Sequence, residues 1–199
     1  MTTIPLWFKL LYTVFVLYVM AVWWKHYGWK NFLWFSDIAL IGAVPAMWFE
    51  NAALASVLTV VVLLPELLWN ADLAARLLLR RRITGLTDYM FERERPRLLR
   101  VLSLFHVPLP LVMLWMLAAY GYAPRVALPG AIALAALVLP WSRLVSDPAR
   151  NINWTYGLGR TQGRFAGGLY VALLFLGFVL LVFIPTDLLL RRCGLSLTY

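Results

Sequence analysis

The sequence predicts an all-α fold: a polytopic integral membrane bundle of six transmembrane helices with a cytoplasmic basic interfacial segment. Three observations lead there. Of 199 residues, 63% are hydrophobic and 14% charged, where soluble domains run nearer half and a quarter. The apolar residues gather into runs of roughly the 20 that cross a bilayer core. The cations fall mostly between those runs.

This composition excludes an ordinary soluble domain and a disordered chain, and residues 1–199 read as one transmembrane domain. The net charge of +9 comes from 18 Lys plus Arg against 9 Asp plus Glu. Placed between spans, these cations speak for topology and anionic lipid headgroups rather than for nucleic acid. Cys193 is the one cysteine, so neither an internal disulfide nor a cysteine metal cluster can form.

The spans are expected at about 6–24, 31–49, 52–71, 101–122, 126–146 and 166–189. The first run is too long for a signal h-region and lacks a basic n-region, so it reads as a retained helix. The second and third are joined by little more than Glu50 and Asn51, the mark of a tight antiparallel hairpin. Leu73 to Leu79 could prolong the third helix beyond the bilayer. Residues 72–100 form the interfacial segment, with eight arginines from Arg76 to Arg100 and a break at Thr84-Gly85-Leu86-Thr87-Asp88, where Thr87 or Asp88 would cap a short helix. Pro108 and Pro110 should kink the fourth span. Gly159, Gly163 and Gly167 repeat every four residues into the sixth, a spacing that permits close helix packing. Pro45 and Pro65 permit further breaks.

Six spans set both termini on one side. Four Lys or Arg lie there, Lys9, Arg125, Arg191 and Arg192, against fourteen opposite. The positive-inside rule makes the richer side cytoplasmic and both termini non-cytoplasmic, in a cell inner membrane.

Orientation gives each polar residue a depth. Asp37, Glu66 and His106 come from spans two, three and four and share one layer toward the cytoplasmic side. Asn70, Asp72, Asp147, Asn151 and Asn153 lie just beyond it, whereas Glu50 and Asp187 fall near the outer face. Ionisable groups inside a bilayer are costly and usually face a path or site. Histidine carries protons near neutral pH, and the two prolines leave room beside His106. His106, Asp37 and Glu66 are therefore the candidate catalytic residues; Asn70, Asp72, Asp147, Asn151, Asn153 and Trp154 are the candidate substrate-binding residues. The alternative for the acids is an anchoring role with nearby Arg or Trp donors. A metal centre of His106 with Asp37 and Glu66 is short of ligands, without HxxH, ExxH or HxxxxH spacing, and the sequence leaves any cofactor open. The loop from Asp147 to Gly157 reads equally as a structural turn and as a grip on a headgroup.

The run Tyr27-Gly28-Trp29-Lys30-Asn31-Phe32-Leu33-Trp34-Phe35 before span two, with His106 followed by Pro110 in span four, resembles the six-span FAR-17a, androgen-induced type of intramembrane hydrolase. The resemblance implies cleavage of fatty acyl esters, with a threonine entering span two and a histidine in span four. His106 matches the histidine. Trp34 stands at the threonine's place, with Ser36 and Asp37 the nearest substitutes. The overall layout also resembles bacterial six-span membrane proteins.

The leading expectation is an enzyme, a hydrolase or transferase, acting on a lipid or other amphiphile from the cytoplasmic leaflet. His106 would be its acid or base, Asp37 or Glu66 would orient the ring, and Asn151 and Asn153 would hold the substrate's polar end. The rival is a small transporter or an accessory subunit whose polar layer mates with a protein partner or a second copy. No internal repeat favours the transporter.

Overall fold

A computed structural model describes residues 3–158 and 166–194; Gly159 and Gly163 lie outside the described residues. The described chain is helical, without strands. Its long elements are α1 (Leu6–Tyr27), α2 (Phe35–Trp48), α3 (Ala52–Leu78), α4 (Arg97–Ser103), α5 (Leu109–Tyr120), α6 (Pro124–Val145), α7 (Gly167–Phe178) and α8 (Ile184–Arg192). α4 and α5 together, and α7 and α8 together, make one rod each. Five rods are long and apolar enough to cross a membrane, and α2 is a shorter apolar helix.

α3, the longest helix, is central and packs against α2, α5 and α6. A Cβ on Gly42 would come within 2.8 Å of Leu58, and one on Gly130 within 2.5 Å of Val57. Glycine at those two positions thus lets α2 and α6 approach α3 closely. Around this centre the perimeter is apolar and exposed, as at Trp7, Leu11, Val14, Leu137, Leu173 and Leu181. An exposed apolar surface of that extent is what lipid contact requires and what water disfavours.

Several boundaries depart from the predicted spans, each for a local reason. α2 begins at Phe35 rather than near residue 31, because Gly28, at φ 73°, ends α1 and the chain passes through a 3₁₀ turn at Trp29–Leu33. α3 runs past residue 71 to Leu78, the continuation that the Leu73 to Leu79 run allowed. The fourth span is interrupted by a 3₁₀ turn at Leu104–His106, since Pro108 and Pro110 lack the N–H groups that would continue the ladder. The sixth contains a π-helical turn at Val179–Phe183. Pro45 and Pro65, by contrast, sit inside continuous helices.

Up-and-down connectivity gathers the loops at two ends. At one end, the Asn51 side chain caps α3 by accepting from the Leu54 N–H at 2.9 Å. There Lys9 pairs with Glu50 at 2.9 Å, and Asp187 accepts from Tyr122 and from Arg191, the latter at 2.7 Å. The other end carries residues 28–34, 79–96 and 146–158.

Candidate functional site

At that second end the helices part around a cavity of about 610 Å³. Its floor is built from α1, α2, α3 and the interruption before α5. Its roof is the loops at residues 82–89 and 149–154. Asp37, Glu66 and His106 all line it, as do Asn151, Asn153 and Trp154, whereas Asn70, Asp72 and Asp147 do not.

Val62, Pro65, Glu66 and Trp69 of α3 line the cavity at helical spacing, one stripe of the helix face. Glu66 Oε2 lies 2.8 Å from His106 Nδ1. One further side chain fixes that pairing. Asn70, one turn along from Glu66, donates through Nδ2 both to the Glu66 carbonyl and to the His106 carbonyl, each at 2.8 Å. The second bond satisfies a carbonyl that the break in the fourth span leaves free. Asn70 thus clips the interrupted segment to α3 and sets the imidazole opposite the carboxylate. Trp69 and Phe105 sandwich the imidazole, with ring centroids 4.6 and 4.1 Å away and both planes 25° from parallel.

Asp37, in the first turn of α2, accepts from Trp23 Nε1 at 3.2 Å and from Asn31 Nδ2 at 2.7 Å. Both donors are neutral. Glu66 and Asp37 are each 3% exposed, so both are directed into the bundle rather than toward lipid. Asp37 thus has the tryptophan donor that the anchoring alternative expects, and neither acid pairs with an arginine among the described residues.

The roof is held by residues whose side chains serve the backbone. Asp72 Oδ1 accepts the N–H groups of Ile83, Thr84 and Gly85, and Oδ2 accepts the N–H and hydroxyl of Thr87, the latter at 2.6 Å. Thr87 therefore precedes the 3₁₀ turn Asp88–Phe91 without capping it through its side chain. Asn153 Oδ1 accepts from the Phe35 N–H at 3.1 Å and its Nδ2 donates to the Leu33 carbonyl at 2.7 Å, tying the second roof loop to the start of α2. Asn151 grips its own loop, donating to the Gly157 carbonyl at 2.7 Å. Asp147 is at the surface, accepting from the Arg150 N–H at 3.0 Å.

Asn151, Asn153 and Trp154 have φ of 45°, 50° and 58°. Asparagine visits this left-handed region readily, tryptophan rarely. Trp154 is kept there by an edge-on contact with Trp34 at 5.9 Å, by Phe178 at 6.2 Å, and by the Tyr170 hydroxyl donating to its carbonyl at 2.9 Å. Held strain of this kind tends to collect where a side chain must be aimed.

Sequence reasoning did not place Trp23, Asn31, Trp69 or Tyr89 at the site. The usable signal was helical register: Trp69 stands three residues from Glu66, hence on its face. Burial pushes the Tyr89 phenol up to about 12, so it stays a neutral hydrogen-bonding group beside the cavity. No three His, Cys, Asp or Glu side chains among the described residues are grouped to hold a metal ion. A second hollow of about 510 Å³ lies between α6 and α7, and Arg143 is the one ionisable residue among the described residues lining it. Comparison with protein-family models, with curated proteins and with solved structures finds no match.

Proposed function

We propose that the chain is a six-span membrane enzyme, a hydrolase or transferase, that works on a lipid or other amphiphile entering from the arginine-rich end. On this reading that end is cytoplasmic and both termini lie on the far side of an inner membrane, in keeping with the positive-inside rule. The observation that carries the proposal is the Glu66–His106 contact within a cavity whose other acid, Asp37, is also buried. An ionised Glu66 accepts the Nδ1 proton, which leaves Nε2 to act as base and stabilises the imidazolium that forms. A proton taken by Nε2 from an attacking hydroxyl, of water or of an acceptor alcohol, is returned to the oxygen that leaves. Asn70 acts through His106 as a positioning residue. Exposed Arg80, Arg81, Arg93 and Arg97 lie at the same end and suit contact with anionic headgroups.

The inward placement of Asp37 and Glu66 supports this reading over a polar layer that mates with a second protein. The likeness to the androgen-induced hydrolases supports His106 alone, because Trp34 cannot serve as a nucleophile. In a screen of lipid esters with the reconstituted full chain, turnover should fall about 100-fold or more in His106→Ala and Glu66→Gln. Each variant should keep a cooperative unfolding transition. Undiminished turnover in His106→Ala rejects the assignment.

A further inference from the structure

The arginines lining the cavity all lie at its rim. Arg82, Arg95 and Arg150 stand there together with one acid, Asp88, which pairs with Arg76 and Arg82, whereas Asp37, Glu66 and His106 stand on the floor. Asp72 fastens the first roof loop to α3, and Glu66 is six residues earlier on that helix, hence about 9 Å deeper at 1.5 Å per residue.

The rim suits an anion. Arg82 pairs with Asp88 at 2.6 Å and its side chain is 65% exposed. Arg150 is 41% exposed; it reaches the Tyr27 carbonyl and stands 3.9 Å from Asp147. Arg95 pairs with Glu92 at 3.2 Å, donates to the Tyr27 hydroxyl at 3.0 Å and lies over the Tyr89 ring. Each guanidinium has five donors, so these bonds leave several free, in the forked geometry that phosphate accepts.

The floor suits a cation. No lysine or arginine neutralises Asp37 among the described residues, its bonded partners being Trp23 and Asn31, and the single ionisable partner of Glu66 is His106. The walls are aromatic: Trp23 and Phe105 lie 6.4 Å apart by centroid, with Trp69 and Tyr89 also lining the space. Buried carboxylates among aromatic faces attract an ammonium through both charge and ring quadrupole.

We propose that this cavity binds a zwitterionic phosphate ester, its phosphate at the Arg82, Arg95 and Arg150 rim and its ammonium on the floor beside Asp37 and Glu66. The inference rests on the substrate site proposed above and specifies what that site takes. A phosphoglycerol headgroup satisfies the rim but offers the floor no cation; a diacylglycerol satisfies neither.

The test reads binding without turnover. The full chain, as wild type and as His106→Ala, is purified in a non-ionic detergent. It is titrated, with tryptophan fluorescence and unfolding temperature as readouts, against short-chain phosphocholine, phosphoethanolamine and phosphoglycerol lipids and diacylglycerol. Both zwitterionic lipids should bind about tenfold more tightly than the phosphoglycerol lipid of equal chain length. Asp37→Asn should erase that preference, and Arg150→Gln should weaken all three phospholipids alike. Equal or tighter binding of phosphoglycerol by the wild type overturns the proposal, whether or not any variant folds. Free phosphocholine that displaces the lipid supports a soluble ligand; lipid binding that resists displacement supports a membrane one. Should no lipid be turned over while the headgroup preference stands, the enzyme reading fails and this one survives; turnover without the preference gives the reverse.

Discussion

The two ends of the bundle use their acidic side chains differently. At the end bearing Glu50 and Asp187, the acids are taken up by protein partners: Lys9 on Glu50, Tyr122 and Arg191 on Asp187, with Arg191 also donating to the Pro124 carbonyl at 2.7 Å. These contacts join helices and close the end. At the arginine-rich end, Glu66 and Asp37 meet a histidine, a tryptophan and an asparagine around an accessible cavity. Asp72 braces the arginine-rich end as well, so at that end one residue type both holds the fold and faces the cavity. What separates brace from site is whether the remaining lone pairs face protein or space.

That contrast can be broken experimentally, and the largest effect should come from Asp72. Removing its carboxylate strands four backbone N–H groups of the first roof loop. Asp72→Ala should cost about 3 kcal/mol or more in detergent unfolding, given about 1–3 kcal/mol for an unsatisfied buried group, and should open the roof to protease. An unchanged unfolding midpoint would mean the roof does not depend on α3.

The next test sets Glu66→Gln against Asp187→Asn. The first should cost turnover about 100-fold, equal to about 2.7 kcal/mol of barrier, with little change in unfolding. The second should lower stability by about 1–2 kcal/mol and spare turnover. A common response in both would erase the distinction between the ends. Asn70→Ala should follow, at about 1–2 kcal/mol of stability. Its turnover should fall through kcat rather than KM, with partial rescue by Asn70→Gln; a pure loss of stability would make Asn70 structural alone. The smallest effect is expected from Asp147→Ala, within about 0.5 kcal/mol by chemical unfolding, since the described partners of its side chain are on Arg150 at the surface.

Asp37, Glu66 and His106 were legible in the sequence because ionisable groups are rare in apolar helices and depth follows from counting residues. Depth alone does not give direction around a helix. Asp72 is six residues from Glu66, a rotation of about 240° at 3.6 residues per turn, so the two acids leave α3 on different sides. Asp72 accordingly serves the roof and Glu66 the cavity. Asn70 shares the face of Glu66, but its reach to the His106 carbonyl depends on the break in the next helix. The break itself was readable from Pro108 and Pro110. The start of α2 was not, because the run after Gly28 is apolar enough to pass for helix, and the turn there is decided by the backbone conformation of one glycine.

Asn153 ties the second roof loop to Leu33 and Phe35 across 120 and 118 positions of chain. During synthesis, then, the first three helices enter the membrane with Asp37 and Glu66 already in place, while the segment that covers them has yet to be translated. Until the fifth helix has followed and the loop behind it has docked, two acids face an unfinished hollow. A nascent chain that ends before residue 153 therefore lacks the contact that ties the second roof loop over Asp37 and Glu66.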